Sequence, residues 1–323
     1  MTKAATTLSI TRVLTNPYLI GLLTIWIATK LFLFFGADLS LLRYGEQDPT
    51  FSTIGQLIMM IFIPILYFLA RRQGIRPIDH TSDLGITRRA ALLETLWLSV
   101  YMIVTVVLGV ALNIHTHVGF HVATEGTQNV FGFGPAASSI IWSLYNTVVY
   151  VIIPLIYFVG IKKYSAKSLL LGFPKPRVFV PFAVVAGLMG FLPFVTPEYF
   201  GTPLNAHLLT ALIYFLGTLL PVAIFTQALF APRLAILTRS WVTGAVLSGV
   251  VYTVFNLNGY TLEWGNFEQS SLSLISLLSA DLVWGLLKGA STLIVGSAWM
   301  HIFTTHTLHF ADAPAIAKVF GIR

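Results

Sequence analysis

The stretch of sequence that decides the fold is residues 219–234, which read LLPVAIFTQALFAPRL. It is apolar over most of its length, and its Pro232-Arg233-Leu234 end predicts a turn at a membrane surface. Similar apolar stretches recur along the whole chain, each in the range of about 17–25 residues that crosses a bilayer core of about 30 Å. The chain is therefore expected to enter a membrane many times.

The composition of the chain indicates the same class of protein. Hydrophobic residues make up 56% of the chain and charged residues only 10%, whereas a soluble domain has about 25% charged residues. We therefore expect an all-α fold, a polytopic transmembrane helix bundle. The chain has no cysteine, which excludes disulfides, cysteine-ligated zinc and a cysteine nucleophile.

Hydropathy predicts nine membrane spans, with eight as the alternative count. The first span begins at Asn16-Pro17, because proline favours the first position of a helix. An even count would place the C-terminus on the same side of the membrane as the N-terminus. The nine predicted spans are 17–36, 53–70, 90–112, 138–161, 178–196, 206–230, 241–258, 271–287 and 290–308.

Lysine and arginine residues are concentrated in alternate loops, which sets the expected orientation. Short loops rich in these residues stay on the cytoplasmic side, so we predict a cytoplasmic N-terminus. The outer loops hold only Arg43, with Lys318 and Arg323 on the tail, and this distribution explains the net charge of +7 without a nucleic-acid partner. The basic residues expected inside are Lys3, Arg12, Arg71, Arg72, Arg76, Arg88, Arg89, Lys162, Lys163, Lys167, Lys175, Arg177, Arg233, Arg239 and Lys288.

The chain divides into two parts at the basic loop 162–177. Residues 1–165 are predicted to form N-terminal transmembrane helices, and residues 166–323 a transmembrane core. A segment of the first part also recurs, which predicts a parallel repeat of two spans. The recurring segments are IPILYF at 63–68 and IPLIYF at 153–158, and the repeat pairs 53–112 with 143–196.

Three short motifs follow one another in the second half of the chain. The Pro232-Arg233-Leu234 end is followed by Tyr252-x-x-x-Asn256 and then by His301-x-x-x-Thr305. This order and spacing, over 165–310, resemble the CPBP family, the CAAX proteases and bacteriocin-processing enzymes that are also called the Abi family. In that family one helix carries Glu-Glu-x-x-x-Arg before a Pro-Arg-Leu-like end, a second carries Phe-x-x-x-His, and a late helix carries His-x-x-x-Asn.

The chain departs from the family pattern at the positions that carry the chemistry. Aligning the Pro-Arg-Leu sequences places Val222 and Ala223 where the family has its glutamates, and Gln227 where it has its arginine. The resemblance implies that a glutamate activates water for attack on a peptide bond, and such a base must take up a proton. The family reaction is therefore not expected at this position. The resemblance leaves Gln227, Asn256 and Thr305 as candidate binding residues.

Two ionisable residues in apolar spans are the candidates for a shifted catalytic site. Asp281 lies in the eighth predicted span and His301 in the ninth, where a charge is costly and indicates a function or a partner. A short turn near Lys288-Gly289 would bring the two side chains together, and an Asp–His pair can act as a base with its orienting group. A neutralised pair that fixes helix register explains the same residues, and both alternatives stay open.

Two further sets of polar residues have local interpretations. His306 and His309 share a helix face, which would suit a metal ion at the outer surface. Solvated histidines at the membrane interface are the simpler explanation of the same pattern. Glu94 lies one turn into the third span, and we expect it to pair with Arg88 or Arg89.

Three functions are compatible with this sequence. The first is a non-catalytic protein of the CPBP type that binds a peptide, a lipid-modified chain or a membrane-protein partner, as in bacteriocin immunity or as a scaffold in a membrane assembly. The second is an active intramembrane endopeptidase with a shifted site, and the third is a transporter of small molecules or lipids. The missing glutamates favour the first. We expect contact with membrane lipids, no cofactor and no nucleic-acid partner, and the resemblance implies the bacterial plasma membrane.

Overall fold

The fold is an all-α helix bundle, as the sequence predicts. A computed structural model describes residues 13–42, 49–78, 81–114, 130–192, 195–259, 262, 265–303 and 310–323, and all regular secondary structure within them is helical. The principal helices are α1 (Pro17–Phe35), α2 (Pro49–Arg72), α3 (Arg88–Leu112), α4 (Pro135–Ile161), α5 (Pro176–Phe191), α6 (Leu204–Thr238), α7 (Trp241–Phe255), α8 (Phe267–Val295) and α9 (Ala313–Phe320). Short helices lie at Thr81–Leu84 and Pro197–Gly201, and 3-10 turns at Leu39–Leu41, Val130–Gly132 and Ala298–Phe303.

Six of the described helices are long and apolar enough to cross a membrane, namely α1, α2, α3, α4, α6 and α8. Two shorter apolar helices, α5 and α7, accompany them. More than half of the apolar window of α6 and of α8 is buried, whereas α1, α2 and α3 keep most of their side chains on the bundle surface. An apolar surface of that size is characteristic of a protein embedded in lipid, so the chain is a multi-pass integral membrane protein.

The first helix begins where the sequence predicts. The side-chain oxygen of Asn16 accepts hydrogen bonds of 3.1 Å from the backbone N–H groups of Tyr18 and Leu19, and Pro17 occupies the first turn. Asn16 also donates its side-chain amide to Thr243 at the start of α7 over 3.0 Å. The cap therefore fixes both the start of α1 and its position beside α7.

The eighth predicted span and the start of the ninth lie in one helix, so the predicted turn between them is wrong. Lys288 and Gly289 lie inside α8, which continues to Val295. The helix ends at Gly296, whose φ of 74° is a left-handed value that favours glycine. Hydropathy places a loop at Lys288 because a lysine usually ends an apolar run, but this lysine is only 1% exposed.

Helix α6 also continues through a predicted turn. Pro232-Arg233-Leu234 lie within α6, which ends at Thr238, and Arg233 is completely buried and not at a membrane surface. Pro232 causes no break because the preceding residues 222–230 form a π-helix, whose wider turns displace the i→i−4 hydrogen bond that a proline interrupts. The apolar stretch that decides the fold is therefore the interior of a single long helix.

The core of the bundle is built by α6, α7 and α8. Helix α8 packs against α7 along most of its length and against α1 and α2 on other sides. The last part of α6 packs against α7 and α3. Because α8 contacts helices from both halves of the sequence, the core spans the predicted division at residue 165.

Candidate functional site: a polar cluster inside the bundle

Asn256 and Asp281 form the first hydrogen-bonded pair in the bundle interior. Asn256 caps the C-terminal end of α7 and is 1% exposed. Its side-chain amide Nδ2 donates a hydrogen bond to Oδ2 of Asp281, which lies near the middle of α8. The oxygen of this amide, Oδ1, is buried and has no hydrogen-bond partner among the described residues. The pair thus leaves one buried acceptor free to receive a further donor.

Lys288 lies on the same face of α8, seven residues after Asp281. Seven residues are close to two helical turns, or about 10 Å along the helix axis. The ammonium Nζ donates a hydrogen bond of 2.7 Å to the hydroxyl of Tyr252 on α7 and lies 3.9 Å from the centre of that ring. Lys288 also interacts electrostatically with Asp281. The two side chains therefore lie along one face of the same helix, within electrostatic range of each other.

His301 reaches the same region from the chain that follows α8. It lies in the 3-10 turn Ala298–Phe303, is completely buried, and its Nε2 is 3.0 Å from the carbonyl oxygen of Leu219 on α6. Because a carbonyl oxygen only accepts, Nε2 carries the hydrogen of this bond. His301 is also within electrostatic range of Lys288. We call Tyr252, Asn256, Asp281, Lys288 and His301 the polar cluster.

Glycines let α7 and α8 approach closely enough to form this cluster. A Cβ atom added to Gly285 would lie 2.6 Å from Cβ of Tyr252, and one added to Gly289 would lie 2.7 Å from Cβ of Ser248. Small residues at a helix interface allow such close backbone packing in membranes. The short separation places Tyr252 and Asn256 of α7 directly beside Asp281 and Lys288 of α8.

The structure places the two candidate catalytic residues in one cluster, but not in the arrangement that the sequence predicts. Among the described residues Asp281 bonds to Asn256, and His301 bonds to the Leu219 carbonyl. Lys288 lies in electrostatic range of both and connects them. A catalytic role for Asp281 and His301 remains a prediction.

Lys288 is not among the site residues predicted from the sequence, because the lysine was expected in a loop. The signal that could have found it is the spacing of Asp281 and Lys288. Opposite charges seven residues apart lie on one face of a continuous helix. An apolar run that contains both is more consistent with an internally paired helix than with two spans.

The positions of the family's missing glutamates lie in apolar surroundings. Val222 and Ala223 are completely buried, and Val222 packs in a cluster of apolar side chains that includes Phe225, Tyr252 and Phe255. No group at these two positions can take up or donate a proton. The arrangement therefore supplies no general base at the point where the resemblance would require one.

Gln227, the residue at the family's arginine position, bonds within its own helix. Its Nε2 donates a hydrogen bond of 3.0 Å to Oγ1 of Thr226, and its Oε1 is buried without a partner among the described residues. No hydrogen bond in the described part of the chain joins it to the polar cluster. The structure thus brings Asn256 into the cluster and leaves Gln227 outside its hydrogen bonds.

A second buried ion pair lies outside the polar cluster. Arg233 Nε donates a hydrogen bond of 2.7 Å to Oε2 of Glu94, and both side chains are at most 2% exposed. The predicted pairing of Glu94 with Arg88 or Arg89 is therefore wrong. Both of those arginines are exposed at the start of α3, whereas Glu94 lies further along the helix and points inward.

Tyr164 and neighbouring groups complete this ion pair. The hydroxyl of Tyr164 donates a hydrogen bond of 2.6 Å to Oε1 of Glu94. Burial raises the pKa of Tyr164 to about 12, and its bond to the Glu94 carboxylate adds to the shift, so the hydroxyl remains a donor at neutral pH. Arg233 also donates to the Leu229 carbonyl over 2.8 Å and lies 4.3 Å from the centre of the Phe158 ring. All these contacts tie α6 to α3 and to the end of α4.

Three predicted site residues lie outside the described residues, namely Thr305, His306 and His309. Within the part of the chain that the structure describes, no group of three or more histidine, cysteine or acidic side chains is arranged to hold a metal ion. The predicted roles in binding and metal coordination at these three positions remain predictions.

The fold and the cluster define the class of this protein as a multi-pass, all-α integral membrane protein with charged groups paired inside its bundle. No protein-family model, curated protein or solved structure matches the chain.

Proposed function

We propose that this protein is a non-catalytic membrane protein of the CPBP type that binds a partner, either a peptide or another membrane protein. The observation that carries the proposal is the burial of Val222 and Ala223 in apolar surroundings. The motif resemblance assigns the catalytic glutamates to these positions. The sequence keeps the order of the family's motifs, but these two positions offer no base to activate water.

The surroundings of Asp281 support the same conclusion. Its carboxylate accepts a hydrogen bond from Asn256 on α7 and lies within electrostatic range of Lys288 on α8. These contacts join Asp281 to the neighbouring helix and to the later part of its own helix. The polar cluster therefore suits a role in holding α6, α7, α8 and the following 3-10 turn together.

A second candidate is an intramembrane hydrolase with a shifted site. The specific observation in its favour is that Asp281, Lys288 and His301 lie together in the membrane interior, where ionisable side chains usually have a function. The favoured location for either function is the plasma membrane of a bacterial cell, which the resemblance implies.

The two candidates differ in what the Asp281→Asn variant does. Cells that produce wild type, Asp281→Asn or no protein would be compared for newly formed peptide N-termini in their membranes. Proteins that cross-link to each form within the membrane would be quantified in parallel. Glu268→Gln is a matched control, because Glu268 is an exposed carboxylate in the first turn of the same helix.

If the protein is a binding protein, no new peptide N-termini depend on Asp281. A membrane-protein or peptide partner should then cross-link in similar amounts to wild type and Asp281→Asn. N-termini that disappear in Asp281→Asn but persist in Glu268→Gln would establish the hydrolase and overturn the proposal. The absence of both a cross-linked partner and new N-termini would also overturn it.

A further inference from the structure

An open apolar groove lies between α2 and α5 on the surface that faces the membrane. The space between the two helices, counted together with the open space above it, is ≈ 310 Å³. Leu66 and Phe182 form a buried floor, at 1% and 4% exposed. The lining residues are Phe62, Ile65, Leu66, Leu69, Pro181, Phe182 and Val185, all of them apolar.

Basic side chains lie at one end of this groove. Arg72 follows Leu69 by three residues on α2, and Arg177 precedes Pro181 by four residues on α5, so each lies about one helical turn beyond the lining. Both are exposed. Lys175 donates from Nζ to the backbone carbonyl of Gln73 over 2.7 Å, which shows that the ends of the two helices meet here.

The two helices that line the groove carry no acidic residue, and the first ones that follow α2 in the sequence are Asp79 and Asp83. Neither 49–78 nor 162–192 contains an aspartate or glutamate. Arg71 and Arg76 add to the positive charge beside Arg72, and the guanidinium of Arg72 lies 4.3 Å from the centre of the exposed Phe68 ring. The end of the groove is therefore a cationic patch directly beside an apolar surface.

We propose that this groove binds one phospholipid with an anionic head group. One acyl chain lies along the apolar lining, and the phosphate lies among Arg72, Lys175 and Arg177. Basic pockets between transmembrane helices on the cytoplasmic side are suited to anionic lipid head groups. The lining offers no polar group to a peptide, whereas a hydrocarbon chain needs none.

This site is separate from the polar cluster, which lies between α6, α7 and α8. It does not rest on the proposed function, so either proposal can fail without affecting the other.

The test is native mass spectrometry of the detergent-purified protein with phosphatidylglycerol or phosphatidylcholine of the same acyl chains. Wild type is expected to retain one phosphatidylglycerol and to bind it at least about tenfold more tightly than phosphatidylcholine. This comparison needs no variant. Equal retention of the two lipids by wild type would overturn the proposal.

Two variants test the two parts of the site. The triple variant Arg72→Gln/Lys175→Gln/Arg177→Gln is expected to abolish the preference for phosphatidylglycerol. Val185→Trp fills the groove and is expected to reduce the binding of both lipids.

Two control variants leave the groove intact. Val184→Trp changes the adjacent, 52% exposed residue, which does not line the groove, and it is expected to bind lipid like wild type. Three exposed basic residues outside α2 and α5 are replaced in the other control, Arg88→Gln/Arg89→Gln/Lys162→Gln. An equal loss of the preference in this control, or unchanged binding in Val185→Trp, would overturn the proposal.

Discussion

Single charged residues organise the interior of this bundle. Glu94, Arg233 and Lys288 are each buried, and each makes contact with an oppositely charged or polar partner from another helix. Moving a charge out of water costs several kcal/mol, and a partner must offset that cost. The pairs therefore specify which helices lie together, since neither member can be buried alone.

Replacement of Glu94 by glutamine should destabilise the protein strongly. The Glu94→Gln variant keeps the shape of the side chain but leaves the buried Arg233 without its counter-charge. Removing one member of a buried pair costs about 3–5 kcal/mol. The measurement is the free energy of unfolding in detergent micelles, compared between wild type and variant.

The control for this experiment is Glu198→Gln. Glu198 pairs with Lys318 over 3.5 Å, but the two side chains are 68% and 76% exposed, so the loss should be below about 1 kcal/mol. The double variant Glu94→Gln/Arg233→Met should recover part of the stability, because no unpaired charge remains. If Glu94→Gln costs no more than Glu198→Gln, the buried pair does not stabilise the fold.

At the scale of helices, the contact between α7 and α8 depends on small residues. Gly285 and Gly289 lie against Tyr252 and Ser248 without room for a side chain. Hydrophobic driving force between helices is weak in lipid, so close packing supplies much of the association. The glycine contact thus supports the polar cluster, which needs these two helices at short distance.

Replacement of Gly285 by alanine should separate α7 and α8. The new Cβ would lie 2.6 Å from Cβ of Tyr252 and 2.8 Å from Cα of Gly249, so the backbones must move apart. Overpacking of this kind costs about 1–3 kcal/mol. Thermal unfolding in detergent measures the loss.

Gly21→Ala in α1 is the matched control, because no atom lies within 4 Å of its Cβ position, and it should be neutral or stabilising by up to about 1 kcal/mol. Equal unfolding temperatures for the two variants would refute the packing argument.

At the scale of the whole molecule, the C-terminal region contacts two segments of the bundle that are distant in the sequence. Ser297 and Trp299 each bond over 2.8 Å to the loop after α4, through the carbonyls of Gly172 and Leu171. Further along, Asp312 accepts a hydrogen bond from Tyr214, and Lys318 pairs with Glu198 near the start of α6. The predicted odd number of crossings would put the last residues on the opposite side of the membrane from the basic loop 162–177, and this topology remains a prediction.

Cysteine labelling should show this topology in intact cells. The chain has no native cysteine, so single variants at exposed positions react without background. A membrane-impermeant maleimide should label Thr196→Cys and Arg323→Cys from outside, and Lys167→Cys only after the cells are permeabilised. If only Lys167→Cys is labelled in intact cells, the predicted orientation is wrong. Protection of Arg323→Cys together with Lys167→Cys would indicate an even number of crossings.

The sequence by itself determined the class of the protein and much of its architecture. Its apolar stretches predicted an all-helical membrane bundle, and Asn16-Pro17 predicted the start of α1 correctly. These features depend on local quantities, because the length and hydropathy of a segment decide whether it can cross a bilayer. The absence of a carboxylate at Val222 and Ala223 is likewise visible in the sequence.

Only the tertiary structure decided where the charged residues are. From the sequence alone, Lys288 is expected in a loop, Arg233 in a surface turn and Glu94 beside its nearest arginines, because a charge in an apolar run usually marks a boundary. In the structure Arg233 pairs with Glu94, which is 139 residues away in the sequence, and Lys288 bonds to Tyr252, which is 36 residues away. A charged side chain is stable inside the bundle only when a partner from another helix is present. No local property of the sequence reveals that partner.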